Sequence, residues 1–184
     1  RPIEILTKPG TLVDAQPPAA VSAGNVETAQ RLVDLFYGAF AKALPEKIPA
    51  ASCGTMNNIL FGGIDKRGSE PRAFVHYETL GGGAGGGPDG DGADAIHTHM
   101  TNTLNTPIEA LERHFPVQID AYGLRNNPGK KFKGHRGGKG IVRQYRFLAP
   151  SQVTIMSERR VHQPYGLNGA PAGQCGKNIL IKAI

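Results

Sequence analysis

The sequence is poor in the residues that build cross-linked or membrane-spanning proteins. Its 184 residues include two cysteines, three methionines and no tryptophan. Cys53 and Cys175 are too few for a disulfide framework and lack CxxC spacing, so a cysteine-built tetrahedral zinc site is excluded. One disulfide between them stays open, but buried free thiols are the plainer expectation for a chain with no export signal. No apolar run approaches the roughly 18 residues of a membrane helix. No basic-then-apolar leader opens the chain, which points to a cytoplasmic protein. Charged residues are 20%, well short of the charge density of a disordered tail.

Acidic residues are missing from one stretch. Residues 125 to 146 carry Arg125, Lys130, Lys131, Lys133, Arg136, Lys139, Arg143 and Arg146 with no acid among them. The other 13 basic residues face 15 acidic ones, so the net charge of +6 sits on this segment. Such a run attracts phosphate, carboxylate or nucleic acid, although a solvated basic hairpin is the commoner outcome. Only Phe132 and Tyr145 interrupt it as aromatics, a poor platform for stacking bases.

Glycine (25) and proline (14) are abundant, and hydrophobic residues are 39%. This composition suits a loop-rich globular segment. Residues 1–7 read as a strand, followed by a turn at Lys8–Gly10. Asn25 is placed to cap a helix, with Glu27 in its first turn. Val26, Ala29, Leu32, Val33, Phe36, Tyr37, Phe40, Ala41 and Leu44 recur at three- and four-residue spacing, which predicts an amphipathic helix ending at Pro45. Ile59–Phe61 predicts a short buried strand and Arg72–Leu80 a second one. Thr106, Pro107 and Glu109 predict a capped short helix ending near Phe115. VQIDAYGLR, IVRQYRFLA, QVTIMSER and NILIKAI read as strands, with the basic segment in a loop between two of them. The fold class expected is α+β, mainly antiparallel sheet with one long and one short helix, as part of a larger fold. The missing initiator Met and the closing apolar run lead us to expect a piece of a longer polypeptide.

The glycine stretch 81–92 (GGGAGGGPDGDG) suggests flexible or positive-φ backbone. It lacks the GxxxxGK[ST] ending, and the GGKG at 137–140 has neither a following Ser or Thr nor a helix, so a P-loop is not expected. Asp89, Asp91 and Asp94 would also oppose a phosphate there. Glu78 stands at a strand end before the glycines, where a carboxylate can orient a substrate or act as base; a surface Glu is the plainer reading. His97 and His99 would share one face of a strand and could converge on a ligand. A hydrogen-bonded structural pair is of equal weight, and H-x-H alone does not make a metal site. Asn102 and Thr103 would add donors to the same wall. Cys53 has no basic neighbour in sequence, and an inert thiol is the better reading.

Several segments in order carry a resemblance: PPAAVSAGNVETAQR (17–31), PAASCGTMNN (49–58), YETLGGGAGGG (77–87), DAIHTHMTNTLNTPIEALERHFPV (94–117), YGLR (122–125), HRGGKGIVR (135–143), and ERR with PYGLNGA (158–160, 164–170). Together they resemble the C-terminal part of the hydantoinase B/5-oxoprolinase family, which includes acetone carboxylase α subunits. The resemblance departs at Cys53, where many members carry Gln. It implies an ATP-dependent hydrolase of small cyclic amides, working with a hydantoinase A-like ATP-binding subunit and the remainder of its own subunit. ATP and a divalent metal are implied for the full assembly, with the metal-ligand motifs outside this segment, so no metal ligand is assigned to His97 or His99. By this reading the segment alone is inactive. Glu78, His97, His99 and Asn102 are its candidate catalytic residues. Arg125, Arg136 and Arg143 are its candidate substrate or phosphate ligands. An acetone carboxylase-like segment and a non-catalytic basic binding module are the rivals; neither a membrane nor a nucleic acid is expected as partner.

Overall fold

A computed structural model describes residues 3–126 and 132–182. Lys130 and Lys131 lie outside the described residues. A π-helical turn, Gly24–Thr28, leads into helix α1, Ala29–Phe40. Strands β1 (Asn58–Asp65) and β2 (Arg72–Thr79) follow, then α2 (Ile108–His114), β3 (Val117–Leu124), β4 (Ile141–Phe147) and β5 (Ser151–Met156). Among the described residues β2, β1 and β5 form one antiparallel sheet, in that order, and β3 and β4 a two-stranded one. The expected α+β class, mainly antiparallel, is the architecture found.

The core lies where the inner face of the larger sheet meets α2 and β3. Ile59, Phe61 and Phe74 alternate inward from β1 and β2 and pack with Leu111 and Val117. Phe61 is wholly buried, with Tyr145 and Phe147 rings edge-on at 5.7 and 5.2 Å. Burying one such side chain contributes about 1.5–3 kcal/mol, and edge-on rings add to it. β1 runs past the predicted Phe61 through Gly62 and Gly63. There the carbonyls of Phe74 and Pro150 stand 2.7 and 2.5 Å from where a Cβ would be, so only glycine lets the strand continue so close to its neighbours.

Helix α1 departs from the expectation for an amphipathic helix. Gln30 and Asp34 are its buried residues, at 0% and 1% exposure, whereas Phe36 and Phe40 are 59% and 54% exposed. Only part of the apolar stripe faces outward: Phe36, Phe40 and Leu44 are exposed, Val26, Ala29, Leu32 and Val33 are half-buried, and Ala41 is buried. The helix ends at Phe40, five residues before Pro45, and loosens into turns. Asn25 does not cap it: it lies inside the π-helical turn, which has no side-chain cap.

Other local expectations also differ. Residues 3–7 and 178–182 form no strand. Strand-like composition does not suffice where no neighbouring strand takes up the backbone N–H and C=O groups. Thr106 does not cap α2, whose first turn follows Pro107 without a side-chain cap. Glu78 claims the Thr106 N–H and Arg143 its carbonyl. The 81–92 segment contains no positive-φ glycine. Its glycines serve close approach instead. Cys53 N–H donates to Gly83 O, Gly138 N–H to Ala84 O and Ala84 N–H to Ala93 O, so four backbone segments stack where any Cβ at Gly83, Gly85 or Gly138 would strike a carbonyl. No helix among the described residues is long and apolar enough to cross a membrane.

Candidate functional site

The stacked glycine backbones bring the 50–55 loop beside the 97–103 turn, and both lie against the polar face of α1. Asp34 is the meeting point. Its Oδ1 is 2.9 Å from His99 Nε2 and accepts from Ser52 Oγ at 3.2 Å. Its Oδ2 accepts from Arg159 Nη2 at 2.9 Å and pairs with Arg31 at 3.3 Å. Tyr165 donates its hydroxyl to the Asp34 carbonyl at 2.7 Å. Gly54 takes a φ of 58°, and a Cβ there would sit 2.5 Å from Asp34 Oδ2. Burial alone would push the Asp34 carboxyl up. The hydrogen bonds from His99 and Arg159, with the Arg159 charge, more than offset this and hold it below the ordinary range.

His99 has a φ of 60°, uncommon outside glycine and a sign that surrounding contacts hold it. Those contacts are Asp34, Ser52 Oγ at 3.0 Å and the Tyr37 ring edge at 5.8 Å. An ionised carboxylate only accepts, so Asp34 places the imidazole proton on Nε2. Nδ1 is then the basic nitrogen, and no described residue bonds it. Ser52, His99 and Asp34 do not form a nucleophile relay, because Ser52 and Asp34 share one ring nitrogen instead of taking opposite ones.

His97 does not join His99 on a strand face. His99 lies within the Thr98–Thr101 turn and His97 just before it, with different partners, and His97 Nε2 bonds Thr103 Oγ1 at 3.2 Å. Burial pushes the His97 imidazole down. Asn102 is exposed just after the turn. The HTHMTNT stretch is not sealed in an apolar interior: Thr101 is buried, yet Met100, Asn102 and Thr103 are exposed.

Glu78 and Arg143, far apart in sequence, are brought together between the two sheets. Glu78 accepts from the Tyr145 hydroxyl and, at 2.9 Å, from the Thr106 N–H. Arg143, its side chain wholly buried, pairs with Glu78 at 3.4 Å and lies 4.5 Å over the Tyr122 ring. Burial would raise the Glu78 carboxyl, but His76, Tyr145 and Arg143 hold it low. Burial, then the Glu78 bond, pushes the Tyr145 hydroxyl up.

Arg136 and Arg125 stand elsewhere. Arg136 pairs with Asp94 at 2.8 Å and Asp91 at 3.2 Å, so the acids of the glycine segment meet the basic loop. Arg125 donates to the Cys175 carbonyl at 2.7 Å. Arg146 pairs with Asp120 at 3.0 Å. The four arginines of the basic run are thus answered by partners within the fold. Asp34 and Ser52 were not singled out by sequence reading, and Arg159 and Tyr145 were named there only within the ERR segment and as an aromatic of the basic run. The one signal for Asp34 was its being the single acid within α1, three and seven residues before the stripe residues Tyr37 and Ala41.

The family model described as hydantoinase B/oxoprolinase matches residues 1–183. The chain belongs to the hydantoinase B/oxoprolinase family. It is 42% identical over 180 residues to 5-oxoprolinase 1 of Arabidopsis thaliana, covering 98% of this chain and 13% of that protein. It is 43% identical over 182 residues to an uncharacterized protein of Methanocaldococcus jannaschii, covering 99% and 31%. It is 38% identical over 181 residues to 5-oxoprolinase of Dictyostelium discoideum, covering 98% and 13%. The chain therefore spans less than a third of each of these hydantoinase B/oxoprolinase relatives. No solved structure gives a significant match.

Proposed function

We propose that these residues supply one wall of the substrate site in an ATP-dependent hydrolase of small cyclic amides, acting with a hydantoinase A-like ATP-binding partner. Membership of the hydantoinase B/oxoprolinase family and the names of the two 5-oxoprolinase relatives support the hydrolase class. The observation that carries the site is the Asp34–His99 pair at 2.9 Å, with the other ring nitrogen left open. An imidazole so oriented takes a proton from attacking water at Nδ1, and the buried carboxylate stabilises the imidazolium that results.

His97 and Asn102, on either side of the same turn, line that wall and bind the polar rim of the ring. Glu78 acts as a positioning residue. It holds the Thr106 end of the turn through a carboxylate already engaged by Tyr145 and Arg143. Among the arginines, Arg136 is the better anion ligand, because its guanidinium is half exposed while the Arg143 side chain is fully buried.

ATP, by phosphorylating an amide oxygen, supplies the leaving group that amide resonance otherwise denies. Neither ATP nor a metal fits the described residues. No three His, Cys, Asp or Glu side chains among them are grouped to hold a metal ion. Several amides of the glycine segment, which would have to cradle phosphate, already donate to backbone carbonyls. We assign both groups to polypeptide outside these residues and route no step through them.

The test is reconstitution. The complete polypeptide with its ATP-binding partner should hydrolyse hydantoin or 5-oxoproline with consumption of ATP, and these 184 residues alone should not. Turnover by the isolated residues, or hydrolysis indifferent to ATP, would overturn the reading. Bicarbonate-dependent product from a ketone would select the carboxylase rival instead.

A further inference from the structure

The buried side of α1 is spent on the Asp34 centre, while an apolar strip along its outer side has no cover among the described residues. Leu35, Phe36 and Phe40 are 65%, 59% and 54% exposed. The outer face of the larger sheet is equally bare. Leu60 pairs with Tyr77 and Gly62 with Val75 across β1 and β2, and Val75 and Tyr77 are 66% and 54% exposed. Contiguous apolar area of this kind marks an interface.

The total area shows the scale of what is missing. The chain, at 19.5 kDa, exposes 12752 Å², whereas a folded monomer of that mass exposes about 8,500 Å². The excess, roughly 4,000 Å², is shared between these faces and the extended residues 3–21 and 179–181, and is several times the ~800 Å² that each partner gives to a standard interface. A second copy docked through one such patch would leave most of it bare. The chain also spans only 13% of 5-oxoprolinase 1 and 31% of the M. jannaschii relative.

Taking the reading above, that these residues work within a longer polypeptide, we infer that the apolar face of α1 and the outer face of the β2–β1–β5 sheet dock against apolar polypeptide of the same family chain lying outside these 184 residues. α1 is then an internal partition. One side organises Asp34 and His99, and the other seats in a neighbouring core.

The experiment is hydroxyl-radical footprinting, read by mass spectrometry, on the unaltered complete polypeptide that carries these residues. It needs no substitution, so no variant can fail to fold. Phe36, Phe40 and Tyr77 are compared with Phe61, which is wholly buried here, and with the same residues in denaturant. The expected result is that all three lose their modification to the level of Phe61, independently of protein concentration. Modification at the denatured level would overturn the inference. Protection that disappears on dilution would assign the faces to a second copy and overturn it equally. Turnover is read separately: protection in a polypeptide that hydrolyses nothing would sink the proposed activity and leave the docking intact.

Discussion

Asp34 and Arg159 meet at 2.9 Å although 125 residues of chain separate them, and both side chains are buried. Their pair ties the helix to the segment beyond β5. Removing one partner of a buried pair leaves the other charge uncompensated, at about 3–5 kcal/mol. Asp34→Ala should lower the denaturant midpoint accordingly, with Arg159, Arg31 and His99 all losing their acceptor. An unchanged midpoint would remove Asp34 as an organising residue.

Acid should act through two carboxyls. Asp34 and Glu78 both lie below their ordinary values in the folded chain. The unfolded state therefore binds more protons between the folded and unfolded pKa values, and stability rises with pH through that window. The contribution is complete above the ordinary values of 3.8 and 4.5 and is lost as pH falls through the depressed ones. Glu27 has the opposite sign: burial raises its pKa, and its Oε2 is buried without a hydrogen bond. Glu27→Gln should stabilise the fold at neutral pH and have little effect at acid pH. Equal effects at both would contradict this assignment.

The glycine segment separates packing from flexibility. Gly138 would place a Cβ against the Ala93 carbonyl, whereas nothing lies within 4 Å of one at Gly90. Gly138→Ala should cost about 1–3 kcal/mol or more from overpacking, and Gly90→Ala should be near neutral. Similar melting temperatures for the two variants would mean that the backbones do not stack as described.

Tyr145→Phe removes one hydroxyl from the Glu78 carboxylate and leaves the ring packed on Phe61. Loss of a hydrogen bond to a charged acceptor costs about 1.5–3 kcal/mol. Thermal unfolding reads it, and no shift would mean that Glu78 is held by its other partners alone.

The strands β2 to β5 were legible because alternation survives in a half-buried sheet: Phe74, His76 and Glu78 point in while Val75 and Tyr77 point out. The apolar stripe of α1 was legible too, but not its direction. A stripe shows that an apolar surface exists and does not say whether the cover comes from these residues. The Asp34 centre was hidden because its partners Ser52, His99 and Arg159 lie 18, 65 and 125 residues away. The pairing of Arg136 with Asp91 and Asp94 was hidden likewise: a one-dimensional charge run cannot show that the answering acids fold onto it. Thr106 read as a cap because cap residues are recognised locally, whereas Glu78 and Arg143 reach its backbone from other strands.

The central claim is that His99, oriented by Asp34, moves a proton in the hydrolysis of a cyclic amide. The most direct measurement is ATP-dependent turnover of the complete enzyme carrying His99→Gln, which keeps an N–H for Asp34 but no basic nitrogen, alongside its thermal midpoint. The account predicts that turnover collapses while the midpoint stays near that of the unaltered enzyme. Turnover preserved in His99→Gln would contradict it.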